Sequence, residues 1–451
     1  MRMNRILVKS TLVGALGGLL FGFDTAVIAG STRSLTHTFS LTPFWLGVTV
    51  SVALWGTAIG ALSSGELGER LGGRGALRVM AALYLISSLG CAFAWNWDAL
   101  LVFRFIGGLG IGGSSVLGPV YIAEMSPAKW RGRMVGLFQV MVVTGILIAY
   151  FSNFCVAQFH LGNAEWHWQL GIPALPALLF LILLYGIPRS SRWLVTQNRV
   201  EEAREVLAMI GTPDTEAELN EIVRSVHRDR SQKREAILQR KYLFPIFLAV
   251  ATGMFNQLAG INAILYYLNS IFASAGFNQM SSSGQAVIIG FTNLVATLFA
   301  MSIIDKVGRK KLLLVGAVGM IFCLGGVGWL FQSGARSAWL LWLLVGYIIF
   351  FAISQGAVVW VYISEIFPNK VRAKGQSLGA SANWITNALI AWFFPLVAAR
   401  SHAMPFYGFA AMMALQFVLV LWLWPETKGA TLEQIQARFK IDLLEGDASH
   451  K

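Results

Sequence analysis

Charge is scarce in this sequence. Of 451 residues, 13% are Asp, Glu, Lys or Arg, about half the roughly 25% of a soluble globular chain, and they are clumped. So few charges cannot cover a surface in water, which excludes an ordinary soluble domain. Cysteine is nearly absent, and Cys91, Cys155 and Cys323 all fall in apolar runs, which excludes a disulfide framework. The six histidines lie in loops or alone, without Cys/His spacing, so neither a metal, a cofactor nor enzyme chemistry is expected. The stretch "GGLGIGG" sits inside an apolar run and reads as a close helix-packing face, not a phosphate loop. A cleavable leader is not expected, because Arg2, Arg5 and Lys9 lead straight into an apolar run that lacks a small-residue cleavage site. The absence of any Asn-x-Ser/Thr sequon and a short tail favour a bacterial cell membrane.

What is abundant is apolar surface, at 56%. Twelve runs are long enough to cross about 30 Å of hydrocarbon as helices of roughly 20 residues. They lie near 11–31, 44–64, 76–95, 99–121, 134–156, 168–187, 243–273, 283–304, 311–331, 338–362, 373–397 and 404–424. Strands would show alternating segments of about 10 residues instead. The fold class is therefore an all-α membrane protein of twelve spans. With the N-terminus inside, only Arg33, Arg336 and Arg400 fall outside and Arg104 falls within a span. That is the positive-inside pattern, with both termini cytoplasmic. The net charge of +13 is thus a topology signal, and no nucleic acid is implied.

The polar stretch from 189 to 241 divides two six-span halves, 1–188 and 242–425, and a tail follows at 426–451. Within it "RVEEAREVLAMIG" spaces Val200, Ala203, Val206, Leu207 and Ile210 as a short amphipathic helix. The halves repeat. "YIAEMSPAKWRGR" at 121–133 aligns with "YISEIFPNKVRAK" at 362–374, matching Glu124 to Glu365 and Arg131 to Arg372, with Lys129 opposite Lys370. "GELGERLGGR" aligns with "SIIDKVGRKK", matching Glu69 to Asp305 and Gly72 to Gly308. A duplication of six plus six spans places a substrate site near the midplane between the halves, worked by alternating access.

Asp24, in "GLLFGFDTAVIAG", is a lone acid in an apolar span, where it costs about 2.5–3.5 kcal/mol on insertion scales. Arg104 in "LLVFRFIGG" lies in the same half at a similar depth, roughly 8–10 Å from the outer surface at 1.5 Å per residue. The two are natural partners. A carboxylate's proton affinity rises with desolvation and falls beside a guanidinium, so a pair that opens and closes can carry a proton. A fixed structural ion pair is the other reading.

Polar groups that both donate and accept, beside aromatic planes, suit a solute carrying hydroxyls and apolar C–H faces. The spans supply Gln139, Asn256, Gln257, Asn262, Asn293, Asn383 and Asn387, with Phe21, Trp360 and Trp384. Membrane amides also serve simply to join helices. Gly260 lies between Gln257 and Asn262 and loosens the helix there. At the inner span ends, Glu69, Arg74, Glu124, Arg131, Arg192, Asp305, Arg309, Glu365 and Arg372 are surface charges worth about 0–1 kcal/mol per pair. That weakness suits a latch that breaks in every cycle.

In order along the chain, "GGLLFGFD", "RFIGG", "NQLAGINAILYY", "DKVGRKK", "SEIFPNKVR" and "PETKG" resemble the sugar porters of the major facilitator superfamily over nearly the whole length. The resemblance implies two six-helix halves joined by short cytoplasmic helices, in a multi-pass cell-membrane transporter acting as a monomer on a monosaccharide and a proton. It makes Asp24 the coupling acid. It gives sugar contacts to Gln139, Asn256, Gln257, Asn262, Asn293, Gly356, Trp360 and Asn383, and outer-gate roles to Tyr266 and Tyr267. It also supports the latch. Several departures stand out: Asn256-Gln257 in place of Gln-Gln, Gly356-Ala357 in place of Gly-Pro, which removes a helix break, and "PRSSR", in which Arg189 replaces an acid. Gly72-Gly73-Arg74 stands where the family has Gly-Arg-Arg. Ile146 stands where xylose members carry an amide, which favours a hexose, glucose first. An uncoupled facilitator is the alternative. A transporter-like sensor would need a signalling domain that the tail is too short to hold.

Overall fold

The computed structural model describes residues 4–127, 130–212, 214–231, 236–334, 339–368 and 371–428, except for the side chains of 228–231 and 305. Lys129, Arg336, Lys370, the side chain of Asp305 and the tail from 429 onward, all invoked above, lie outside the described residues.

Every regular element among the described residues is helical. In chain order these are α1 (Arg5–Phe39), α2 (Pro43–Ala92), α3 (Trp97–Met125), α4 (Arg131–Ala157), α5 (Glu165–Gly171), α6 (Ala174–Leu183), α7 (Ser191–Thr196), α8 (Val200–Ile210) and α9 (Thr215–Ser231). There follow α10 (Leu243–Leu258), α11 (Ile261–Tyr266), α12 (Leu268–Ser274), α13 (Gln279–Val307), α14 (Arg309–Ser333), α15 (Trp339–Phe351), α16 (Ala357–Glu365), α17 (Arg372–Arg400) and α18 (Met404–Leu423). Asparagine starts three of the spans. Asn4, Asn96 and Asn278 accept the N–H groups of Ile6, Ala99 and Ser281 at 3.0, 2.8 and 2.8 Å, satisfying donors that a helix start leaves free.

Eleven helical stretches are long and apolar enough to cross a membrane. The 50 residues of α2 would reach about 75 Å as one helix, far beyond a bilayer. At Gly72 the backbone leaves the helix (φ 73°, ψ 160°), so α2 is two crossings, and the twelve expected spans are all present. Gly308 (φ 104°) makes the corresponding turn between α13 and α14. Both lie at a left-handed φ that side chains with a Cβ rarely adopt.

By their contacts the residues fall into two units, 1–40 with 52–233 and 41–51 with 234–451. In the first, α1 and α4 meet backbone to backbone. A Cβ at Gly22 would lie 1.8 Å from the Val142 carbonyl oxygen, and one at Gly145 would lie 2.0 Å from that of Leu19. The run at 107–113 behaves likewise, with Gly108 and Gly112 against the carbonyls of Ala53 and Thr57. Gly145→Ala is therefore expected to destabilise the protein, at the upper end of the roughly 1–3 kcal/mol of overpacking. Gly132→Ala, in the same helix with nothing within 4 Å of the new Cβ, gains about 1 kcal/mol of helix propensity. Thermal midpoints of the two variants in one detergent check the contrast, and equal midpoints would refute it.

The amphipathic pattern noted at 200–210 is α8, which buries Ala203, Val206, Leu207 and Ile210 and ends at Gly211 (φ 77°). Asn4 donates its side-chain amide to the Met209 carbonyl at 2.6 Å, tying α8 to the start of α1. In the second unit α10 packs on α17 and α14 on α18.

Candidate functional site

In the first unit Arg104 Nη1 donates to Asp24 Oδ1 at 2.9 Å. The Arg104 side chain is 5% exposed and that of Asp24 21%, so the acid touches solvent-accessible space while its partner does not. Arg104 Nε is buried with no hydrogen-bond partner. The Asp24 carboxylate thus offsets part of the cost of burying this charge. Phe21, one turn before Asp24 on α1, and Gln139 on α4 are half-buried in the same unit.

In the second unit four amides interlock. Gln257 Nε2 donates to Asn256 Oδ1 (3.1 Å) and Asn383 Oδ1 (3.3 Å), and Gln257 Oε1 accepts from Asn262 Nδ2 (3.0 Å). Asn383 Nδ2 in turn donates to Asn256 Oδ1 (2.9 Å) and the Gly253 carbonyl (3.1 Å). The helix breaks at Gly260 (φ 87°), where the sequence had placed a loosening, and that break brings Asn262 of α11 back to Gln257 of α10. Asn256, Gln257 and Asn383 are buried. Such a cluster holds donors and acceptors in fixed places with the folding cost already met, which is what recognition of a polyol requires.

The remaining candidates spread around this cluster. Trp384 follows Asn383 on α17 and is buried, whereas Trp360 on α16 is 45% exposed. Asn293 on α13 is buried but shares no hydrogen bond with the four amides. Tyr266 accepts from Asn387 Nδ2 at 3.1 Å, and Tyr267 donates its hydroxyl to the Ala391 carbonyl at 2.8 Å, so both tyrosines join the same face of α17.

Ala357 was expected to leave the tenth span unbroken, since the family's proline is missing. The span does stay helical from Trp339 to Glu365, and within it five residues, Ala352–Gly356, form a π-helical turn, a rare feature that frequently marks functional positions. Ser354 donates to the Phe350 carbonyl at 2.6 Å. Gln355 donates to Gln416 of α18 at 2.6 Å, both side chains being buried. Gln355 and Gln416 went unremarked in the sequence, where a lone amide in an apolar span was the available signal.

At the span ends, Arg309 Nη2 meets Glu365 Oε1 at 2.8 Å, and Thr427 donates to Glu365 Oε2 at 2.6 Å. Glu426, whose role the sequence did not give, accepts the Arg309 and Lys310 backbone N–H groups at 2.9 and 3.1 Å. It caps α14 from 117 residues away, as a negative charge at a helix start should. In the first unit Glu124 is hydrogen-bonded by Ser190 and lies near Arg192. Arg74, Arg131 and Arg372 donate to the carbonyls of Ile187, Ala123 and Phe367, and Trp193 Nε1 donates to that of Glu69. These three arginines are thus held by backbone oxygens, not by acids.

Residues 10–439 match the model of the "Sugar (and other) transporter" family. The chain is 36% identical to the "Glucose transport protein" of Synechocystis, covering 94% of this chain and 95% of that protein. It is 35% identical to the "D-xylose-proton symporter" of Escherichia coli, covering 95% and 94%. Among solved structures, the inward-open conformation of the xylose transporter XylE from E. coli matches at a TM-score of 0.86 with 33% identity, covering 96% of this chain and 99% of that one. A twelve-span helical fold, an acid–arginine pair in one unit and an interlocked amide cluster in the other thus accompany similarity along almost the full length, and the chain belongs to the sugar transporter family.

Proposed function

We propose that the protein carries a monosaccharide and a proton together into the cell by alternating access, with a hexose such as glucose preferred. The observation that carries this reading is the Asp24–Arg104 pair, a partly exposed carboxylate held by one buried guanidinium, in a chain that also holds the four-amide cluster. Asp24 carries the proton and Arg104 holds its charged form. Gln139, Asn256, Gln257, Asn262, Asn293 and Asn383 contact sugar hydroxyls, with Phe21, Trp360, Trp384 and the backbone at Gly356 around them. Tyr266 and Tyr267 close the outer side, and the charged span ends form the latch. The relatives named for glucose and for proton-coupled xylose transport support both parts of the reading. Ile146, buried on α4 where a further amide would favour xylose, supports a hexose. The protein works as a monomer, as the family implies, in the inner membrane, and the placement of its basic residues favours cytoplasmic termini.

The test is external pH in a weakly buffered suspension of de-energised cells making the protein, on addition of glucose, xylose, galactose or fructose. Alkalinisation with one sugar, glucose most strongly, is the expected result. Robust counterflow with no pH change under any sugar would establish facilitation instead, and no response in either assay would remove the monosaccharide reading.

A further inference from the structure

Four cations gather on the face of the first unit that carries the N-terminus. Arg74 Nη1 donates to the Ile187 carbonyl at 2.8 Å, and Arg78 Nη2 to that of Leu184 at 3.3 Å. The Nε of each is buried with no hydrogen-bond partner. Lys9 Nζ lies 2.7 Å from where a Cβ at Gly186 would stand, and Arg189 lies over the Trp193 ring at 5.2 Å. The ionisable groups acting on Arg74 are Arg78, Arg189 and Tyr121, none of them a carboxylate. Of the acids on this face, Glu66 pairs with Arg70 and Glu124 takes Ser190 and Arg192, and Glu69, whose carbonyl accepts from Trp193, is not among the groups that act on Arg74.

The internal repeat says what such a place takes. In the second unit Thr427 donates to Glu365, and the preceding residue, Glu426, supplies the carboxylate at the start of α14. In the first unit Ser190 hydrogen-bonds Glu124, the repeat partner of Glu365, so the preceding residue, Arg189, stands in the position of Glu426. One unit takes its anion from its own chain. The other has a cation there and three more beside it.

The surroundings identify the source of the anion. Leu175, Leu179, Ile182 and Tyr185, spaced three and four apart along one face of α6 and the turn after it, are 72%, 52%, 58% and 66% exposed. That apolar stripe ends at Tyr185, over whose ring the Arg78 guanidinium sits at 3.9 Å. We propose that Lys9, Arg74, Arg78 and Arg189 form a site for the phosphate of an anionic membrane lipid, whose acyl chain runs along the outer face of α6. Basic pockets between spans are suited to such headgroups, and guanidiniums to phosphate oxygens.

The test is native mass spectrometry of the full-length protein in detergent, titrated with phosphatidylglycerol or with phosphatidylcholine of the same acyl chains. Phosphatidylglycerol should be retained in preference. Arg78→Gln and Arg189→Gln should each lower that retention roughly five-fold, from the usual worth of one cation at a lipid surface. Arg78→Lys should keep most of it, and Arg5→Gln, an exposed cation on the same face outside the cluster, should leave it unchanged. Thermal midpoints in the same detergent confirm that each variant is folded, and Arg189→Gln alone decides the matter if Arg78→Gln unfolds. No preference for the anionic lipid, or an equal loss in Arg5→Gln, overturns the site. Displacement of phosphatidylglycerol by millimolar inorganic phosphate overturns the lipid as its occupant.

Discussion

Asp24→Asn leaves sugar movement intact and abolishes the proton movement that accompanies it. Asparagine keeps the shape of the side chain and an oxygen that accepts from Arg104 Nη1, so the 2.9 Å contact survives in neutral form. The variant loses the ability to bind and release a proton. One proton moving through 100 mV supplies about 2.3 kcal/mol, enough for roughly fifty-fold accumulation at 1.36 kcal/mol per tenfold. In energised cells accumulation of the transported sugar should therefore fall from tens-fold to unity, and sugar-dependent alkalinisation should vanish. Counterflow, which needs no net proton movement, should persist within a few-fold. Retention of sugar-driven alkalinisation in Asp24→Asn would assign the proton to another group and return Asp24 to a structural partner of Arg104.

The second large effect is expected at Gln257. Its amide touches three others, so Gln257→Leu strands Asn262 Nδ2 and removes a donor from both Asn256 Oδ1 and Asn383 Oδ1. Each buried polar group left without a partner costs about 1–3 kcal/mol. A bound sugar, if the cluster contacts it, also loses its hydrogen bonds to the missing amide. Half-saturation of counterflow should rise by roughly 10²- to 10³-fold, since every 1.4 kcal/mol is tenfold. The bond from Asn383 to the Gly253 carbonyl, which joins α17 to α10 at 3.1 Å, does not involve Gln257, so the fold should persist. An unchanged half-saturation, with folded protein confirmed by its thermal midpoint, would place the sugar elsewhere.

The spans were legible because a bilayer imposes one strong rule: a backbone in hydrocarbon must satisfy itself as a helix, and its side chains must be apolar over a fixed length. The break at Gly260 and the α8 stripe were readable for equally local reasons, a residue without a Cβ and a 3.6-residue period. The Asp24–Arg104 contact was readable because two charges in oil have few other partners. What stayed hidden depended on distant partners. Nothing in "AISQGA" announces a π turn, and the partner of Gln355 there, Gln416, lies 61 residues on. Of the latch arginines, Arg309 meets the acid Glu365, while Arg74, Arg131 and Arg372 donate to carbonyls, because a helix end presents free oxygens that a sequence does not display.

The cap on α14 has a consequence for the order in which the protein is made. The N–H groups of Arg309 and Lys310 receive their acceptor from Glu426, 117 and 116 residues later in the chain. A ribosome adding about 5–20 residues per second takes roughly 6–25 s to bridge that gap. During that interval α14, α15, the π turn, α16, α17 and α18 all emerge while the start of α14 must rely on water for its first donors. The second unit can thus close this corner only after 117 further residues have been added, and the first unit waits about as long for its own, where Arg74 reaches the Ile187 carbonyl 113 residues on.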